Sequence, residues 1–342
     1  MTLSELEQEL AALGEPRFRA KQIYEWLHEK RVESFSKMTN LSKALRERLE
    51  DQYEFTNVTV VEELTSAIDG TKKFLFGLSD GNVVESVWMR YQHGCSVCIS
   101  SQVGCRMGCA FCASTLGGLV RNLTASEMLE QVYQIDRMTG ERVSHIVVMG
   151  TGEPLDNYDA LLKFLTIISD EKGMNISQRN ITVSTCGLVE QIRQLAGEKL
   201  QITLALSLHA PDQEKRERLM PIAKHYDIRD VVKACDDYFV STGRRITFEY
   251  ALIGGVNDTV GDAQALAALI GGMNCHVNLI PVNPVKERKW NRSKPEVIDA
   301  FKNSLEKSGI PVTRRREMGK DINGACGQLR RSRMGQPAVV EL

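Results

Sequence analysis

Residues 104–114 read GCRMGCAFCAS and place Cys105, Cys109 and Cys112 in a Cys-x3-Cys-x2-Cys loop, with Phe111 just before the last cysteine. Three thiolates this close together can hold three corners of a [4Fe–4S] cluster, because such clusters are bound by cysteine sulfur. A cluster that only carries electrons usually takes four cysteines, so a three-cysteine loop leaves one iron open to a small ligand. A structural zinc site competes for the same residues: Cys95-x2-Cys98 followed by Cys109-x2-Cys112 supplies four ligands for a closed tetrahedral site. The pairs are separated by ten residues, fewer than the roughly 15–20 usual for that pattern, and Cys105 has no part in it. On the loop alone both readings stay open.

The rest of the composition narrows the setting. At 342 residues the chain has room for one large domain with an appendage or for two ordinary ones, and its 42% hydrophobic content is that of a folded soluble protein. The N-terminal MTLSELEQELAALG reads as an acidic amphipathic helix, without the charged-then-apolar ramp of a signal peptide. No apolar run approaches the roughly 18–20 residues needed to span a bilayer, so no membrane partner is expected. Nine cysteines, odd in number and unevenly placed, make a poor disulfide framework and fit a reducing, cytoplasmic setting.

A net charge of −1 excludes a uniformly basic nucleic-acid binder, but the charge is patchy. Arg314, Arg315, Arg316 and Lys320 precede Arg330, Arg331 and Arg333. Lys286, Arg288, Lys289, Arg292 and Lys294 form a second group, and Arg17, Arg19, Lys21, Lys30 and Arg31 a third. Basic groups are more often solvated faces than binding sites. Three of them, one flanking a cysteine, point to a phosphate-backbone partner.

Hydrophobic periodicity divides the chain into three units. In residues 1–52, Leu3, Leu6, Leu10 and Leu13 share one helical face, Phe18, Ile23, Trp26 and Leu27 another, and Ser42 caps a third helix through Leu45 and Leu49. Residues 53–92 form a β-rich connector, in which NVTVVEEL, KKFLFGL and NVVESVWM are broken by Asp69-Gly70 and Asp80-Gly81. From residue 93 to 342 the pattern is repeated βα units. Strands are expected at Ser96–Ser100, His145–Met149, Asn180–Ser184, Ile202–Ser207, Ile246–Leu252 and His276–Ile280, with helices between them. Such alternation argues for an α/β fold with parallel strands under helices, either an open sheet or a partial barrel. Chemistry-bearing residues fall at the strand ends, as on the C-terminal face of a βα barrel.

After the second strand comes MGTGEPLDN, a glycine-rich turn with Gly150, Gly152, Glu153 and Pro154 that matches neither a P-loop nor a dinucleotide fingerprint. Placed one unit beyond the cysteine loop, it resembles the GGE-type segment of radical S-adenosylmethionine (SAM) enzymes, whose cluster loop has the Cys-x3-Cys-x2-Cys spacing. The motifs CISSQVGCRMGCAFCAS, MGTGEPLDNYD, SLHAP, NLIPVNP and DINGACGQL together resemble one family over nearly the whole chain: the radical SAM adenine-C2 RNA methyltransferases of the RlmN type.

That resemblance implies a partial (β/α)6 radical SAM barrel, a [4Fe–4S] cluster on Cys105, Cys109 and Cys112, and SAM contacts from Gly152, Glu153, Ser184, Ser207, Leu208, His209 and Asn283. It implies 23S rRNA and tRNA as substrates, an electron donor such as flavodoxin or ferredoxin, and a monomer. Carbon 2 of adenine is electron-poor and cannot attack the SAM methyl group as a nucleophile, but it can accept a carbon radical. By resemblance, Cys326 takes a methyl group from one SAM, since a thiolate is a competent nucleophile. A second SAM yields a 5′-deoxyadenosyl radical that abstracts hydrogen from this S-methyl group, and the resulting methylene radical adds to carbon 2. Glu85 accepts the proton from carbon 2, and Cys98 attacks the Cys326 sulfur, leaving a Cys98–Cys326 disulfide to be reduced.

Each assignment has a plainer counterpart. Glu85 would by default be an exposed strand position and Cys98 a core residue. Cys326 would be a small buried hydrophobe, although Gly324 and Gly327 and the nearby arginines suit a loop near RNA better. Cys95, Cys186, Cys235 and Cys275, with His93, His145 and His276, are expected to be structural. Three alternative functions stay on the table. One is the sister Cfr-type group, which methylates carbon 8 and shares the same cysteines; Pro154 and the Ile280-Pro281 pair resemble the carbon-2 enzymes more. The others are a radical SAM enzyme acting on a non-RNA substrate and a non-catalytic, zinc-stabilised RNA-binding protein.

Overall fold

The computed structural model describes residues 1–283 and 288–322. The N-terminal unit comprises α1 (Leu3–Ala12), α2 (Phe18–His28) and α3 (Lys43–Gln52). Thr2 starts α1 through a capping box with Glu5, and the Ser42 hydroxyl accepts from Leu45 N at the head of α3. Leu6, Leu10, Ile23, Leu45 and Leu49 meet in a small core of their own. Truncating any of these to alanine is expected to cost about 2–5 kcal/mol. Phe18, expected on the apolar face, is instead 53% exposed. It is the first residue of α2 and projects beyond the core stripe, with the Arg19 guanidinium 4.8 Å from its ring centre.

β1 (Thr59–Thr65), β2 (Lys72–Gly77) and β3 (Val83–Tyr91) form an antiparallel meander, and β3 pairs antiparallel with β4 (Gly94–Cys98). β5 (Gln102–Gly104) and β6 (Leu119–Asn122) make a separate ribbon whose connection carries the cysteine loop. Then follow α4 (Ala125–Thr139), β7 (Val143–Val148), α5 (Tyr158–Ile168), β8 (Ile181–Thr185), α6 (Val189–Gly197) and β9 (Thr203–Ser207). The described chain is completed by α7 (Gln213–Leu219), α8 (Ile228–Thr242), β10 (Ile246–Leu252), α9 (Val260–Ile270), β11 (Cys275–Pro281), α10 (Pro295–Lys307) and β12 (Val312–Arg314).

One sheet runs β1-β2-β3-β4-β7-β8-β9-β10-β11-β12, parallel from β4 onward. All six expected parallel strands are present. β12 adds a seventh that periodicity misses, because a three-residue VTR segment with two exposed side chains carries no apolar run. The first parallel strand ends two residues before the expected Ser100. The Gln131 amide there takes over both backbone groups of Ser100, with bonds of 2.9 and 3.0 Å. Residues from β3 and from the segment after β12 line the same cavity as those of the central strands, so the sheet curls into an incomplete barrel.

Residues 315–322 cross the open side of that barrel as a strap. Gly319 N donates to Asp69 Oδ2 (3.0 Å), while Asp321 accepts from Ser66 Oγ (2.6 Å) and Ala67 N (2.9 Å), tying the strap to the β1–β2 turn. The helical unit packs on α4 through His28 and Tyr133 (2.9 Å), Arg31 and Asp136 (3.0 Å), and Arg137 to Arg31 O (2.9 Å). Among the described residues no helix is long and apolar enough to cross a membrane.

Candidate active site

A cavity of about 530 Å³ occupies the barrel, within the range of cofactor pockets. Cys105, Cys109 and Cys112 line it, and backbone hydrogen bonds hold the loop that presents them. Cys105 N donates to Gly118 O (2.9 Å), Ala110 N to Leu219 O (2.8 Å), and Trp290 Nε1 to Ala110 O (2.8 Å). The Thr115 hydroxyl sits within 3.2 Å of the Cys109 and Cys112 carbonyls. At Gly104 (φ +82°) an added Cβ would lie 2.0 Å from Gly118 O, so the loop closes only over glycine.

Burial pushes the Cys105 thiol up to about 12 and raises that of Cys109 as well. Both would remain protonated without a cation to bind, and metal binding deprotonates its thiol ligands. Among the described residues no three Cys, His, Asp or Glu side chains converge as ligands of a single ion. A cluster attaches its thiolates to different irons and needs a wider spacing, so three cavity-facing cysteines on a fixed loop fit it. The zinc reading fails on strand geometry. Cys95 and Cys98 both lie on β4, three residues apart, and side chains so spaced point to opposite faces. Cys98 lines the cavity, whereas Cys95 Sγ donates to Glu141 at 3.0 Å.

Gly152, Glu153, Ser184, Ser207, His209 and Asn283 line the same cavity. The glycine turn lies tightly over the β4–β5 connection: at Gly152 (φ +114°) a Cβ would come within 2.7 Å of Ser101 Oγ and Gln102 Cβ. Glu153, buried, accepts from Cys186 N (2.7 Å) and Leu155 N (3.0 Å), and its own N–H donates to Gln102 Oε1 (2.8 Å). Burial raises its pKa while the Cys186 N–H opposes the shift. The Thr185 and Cys186 side chains bond to it as well, so a ligand cation would share acceptor sites already in use. Ser184 and Ser207 face each other on β8 and β9 with hydroxyls 3.3 Å apart.

His209 has φ +56°, a conformation costing about 1–3 kcal/mol for such a residue. Its Nδ1 accepts from Ala251 N (2.9 Å), which leaves the proton of the neutral ring on Nε2. Burial, with the nearby Arg216 charge, pulls its pKa down to about 3. Phe111 packs edge-on against it at 5.0 Å. The Leu208 side chain, by contrast, is fully buried and is not among the cavity-lining residues.

Glu85 does not occupy the exposed strand position of the plainer reading. It is 2% exposed, and its Oε2 lies 3.0 Å from Nζ of Lys73, itself 0% exposed. On β3 it shares a face with Val87 and Met89, which line the cavity, although Glu85 does not itself reach the lining. Lys73 escaped the sequence reading, where it was one lysine at the head of KKFLFGL; its signal was a charge at an inward position of an apolar strand. Cavity-lining Glu249 was also missed. It is buried on β10, accepts from Asn278 Nδ2 at 2.9 Å, and is raised by burial against the pull of Arg315. Arg292, Arg315, Arg316 and Lys320, known from sequence only as basic clusters, converge on this cavity. Cys326 lies outside the described residues.

Comparison with known proteins agrees with this geometry. Residues 1–55 match a family model described as the ribosomal RNA large subunit methyltransferase N-terminal domain, and residues 99–267 match the radical SAM superfamily. A "Probable dual-specificity RNA methyltransferase RlmN" of Lachnoclostridium phytofermentans is 61% identical over 342 residues, covering 100% of this chain and 96% of that protein. The protein of the same description from Clostridium perfringens is 54% identical over 97% of this chain and 95% of its own length. The crystal structure of a radical SAM methyltransferase from Sphaerobacter thermophilus superposes with a TM-score of 0.92 at 46% identity, covering 96% of this chain and 97% of that one. A cavity-lining loop of three cysteines, on a barrel shared over nearly its whole length with such an enzyme, leads to one assignment: this chain belongs to the RlmN family of radical SAM RNA methyltransferases.

Proposed function

We propose that the protein methylates carbon 2 of an adenine in 23S rRNA, and in tRNA, through a methylated Cys326. The observation that carries this reading is the shared cavity. It gathers Cys105, Cys109 and Cys112 with Glu153, Ser184, Ser207, His209, Asn283 and Cys98. The three loop thiolates would hold a [4Fe–4S] cluster, and Glu153 would accept from the SAM amino group beside it. When bound, cluster and SAM supply the one-electron cleavage that makes a carbon-centred radical. Everything else falls to the chain.

Cys326 acts first as nucleophile toward a SAM methyl group and later, through that carbon, joins carbon 2 of the base. It lies four positions beyond Ile322 of the strap, a contour of at most about 14 Å. Glu85, beside Lys73 on the cavity face of β3, takes the proton from carbon 2. Cys98 then attacks the Cys326 sulfur; the S–S bond forms as the S–C bond breaks, the released carbon takes a proton to become the methyl group, the one electron spent on SAM cleavage would return to its source, and a thiol reductant must restore both cysteines. The plane of His209, packed on Phe111 and fixed by Ala251 N, would help wall off the radical from water.

Arg315 and Arg316, exposed on the strap, suit the phosphates flanking an adenine drawn out of its stack. Exposed Phe18 with Arg19 suits a second RNA contact on the helical unit, which we take as residues 1–52, ahead of a connector at 53–92 and the catalytic unit at 93–342. A cytoplasmic monomer fed by flavodoxin or ferredoxin completes the reading.

The test uses anaerobically reconstituted protein, SAM with a labelled methyl group, and 23S rRNA fragments and tRNA, with mass spectrometry of protein and RNA. Label on Cys326 and on carbon 2 is the expected result. Label on carbon 8 would transfer the protein to the sister group, and SAM cleavage with neither Cys326 nor RNA labelled would overturn the proposal.

A further inference from the structure

Arg216 on α7 is the bulkiest fully buried side chain among the described residues, at 0% exposure. Its Nη2 donates to Cys186 O at 2.6 Å, while Nε and Nη1 have no hydrogen-bond partner among the described residues. No carboxylate there forms an ion pair with it. A guanidinium does not deprotonate in proteins, and an unpaired buried charge is among the costliest features a core can carry. The thiols of Cys186, Cys109 and Cys235 and the His209 ring lie near enough to interact with its charge, and α7 itself holds the cysteine loop, Leu219 O accepting from Ala110 N beside Cys109 at 2.8 Å. Glu153 is bound on the other side of Cys186, to its N–H.

One of those three thiols, Cys109, is also a cluster-loop cysteine. Bound to iron it becomes a thiolate, and a three-thiolate [4Fe–4S] cluster is anionic, more so by one charge after reduction. The missing counter-charge for Arg216 therefore arrives at Cys109. We propose that Arg216 is the buried counter-cation of the cluster, a positioning residue that favours cluster binding and sets the reduction potential higher than the same barrel would without it. The electron enters from an external one-electron donor, and Arg216 neither binds nor releases a proton. Net charge near a cluster is one of the factors that set its potential. This inference rests on the cluster reading alone and is independent of the RNA substrate and of Cys326.

The test compares full-length, anaerobically reconstituted wild type, Arg216→Lys and Arg216→Gln. Iron and sulfide are measured per chain, and the midpoint potential by EPR-monitored titration with dithionite. Arg216→Gln keeps a donor for Cys186 O but loses the charge, and is expected to titrate at lower potential. Arg216→Lys keeps the charge and is expected to stay near wild type. Cys235→Asp leaves Arg216 in place and gives it a carboxylate; it should shift the potential in the same direction as Arg216→Gln and serves if that variant fails to fold. A loaded Arg216→Gln at the wild-type potential would overturn the proposal, as would equal shifts in the Lys and Gln variants, which would mark a hydrogen-bonding role. Wild type that binds no iron would instead remove the cluster reading beneath it.

Discussion

The cavity has two walls of different construction. The parallel wall, β4 through β11 with the cysteine loop, presents backbone-fixed groups: Cys105, Cys109 and Cys112 on a hydrogen-bonded loop, Glu153 clamped to Cys186 N, His209 locked to Ala251 N. The antiparallel wall, β3 with the strap after β12, holds a buried Lys73–Glu85 pair and exposed Arg315 and Arg316. The match to the radical SAM superfamily spans residues 99–267 and so includes most of the first wall and none of the second. Rigid geometry sits where a cofactor must be met in one orientation. A buried ion pair and exposed cations sit where, in the proposed function, a polyanion is admitted and a proton removed.

If the walls divide labour in this way, damage to each should read out differently. Cys109→Ala on the parallel wall should give the largest loss: iron per chain collapses and SAM cleavage disappears, whether or not RNA is present. Iron analysis with the visible spectrum checks it; a brown, SAM-cleaving Cys109→Ala protein would end the division at once. Glu85→Gln, across the cavity, should leave iron content and SAM cleavage intact yet slow methyl release by about 10²–10⁴-fold, the usual worth of a general base. RNA should then accumulate covalently attached to the chain, visible as a mass-shifted band. Lys73→Met should mimic it in part and cost about 3–5 kcal/mol of stability, since it removes one member of a buried ion pair. Thermal melts of the single and double variants would show whether the second change recovers some of that loss.

A smaller effect is expected from Glu153→Gln. Weakening a charge-assisted contact by about 1.5–3 kcal/mol corresponds to roughly 10–150-fold in SAM affinity. Equilibrium dialysis would measure it, and the cluster should remain loaded. The mildest prediction belongs to the strap. Arg315→Ala and Arg316→Ala should raise KM for RNA several-fold with kcat little changed, and each should lower the salt dependence of RNA binding by about one phosphate contact. Equal affinity of wild type and double variant across a salt series would detach the strap from RNA recognition.

Much of the parallel wall was legible in the chain because its signals are local. A Cys-x3-Cys-x2-Cys loop, a glycine turn after a strand and the six apolar strands all lie within about a dozen residues of their own context. Phe18 misled because helical spacing says which residues share a face, and not where the neighbouring helices stop covering it. α7 and β12 escaped because seven and three residues are too short for a period to emerge.

By itself, then, the sequence determined the three-cysteine loop, the βα alternation and the family to which the chain belongs, through patterns carried by neighbouring residues. Tertiary structure alone decided what depends on pairs distant along the chain. It paired Lys73 with Glu85 across two strands, tied Asp321 to Ser66 to draw the strap over the open barrel, and turned Cys95 away from Cys98 so that zinc lost its ligands. It also sealed Arg216 in the core behind Cys186. The cost of burying a charge is set by everything that surrounds it after folding, and no window of sequence contains that surrounding.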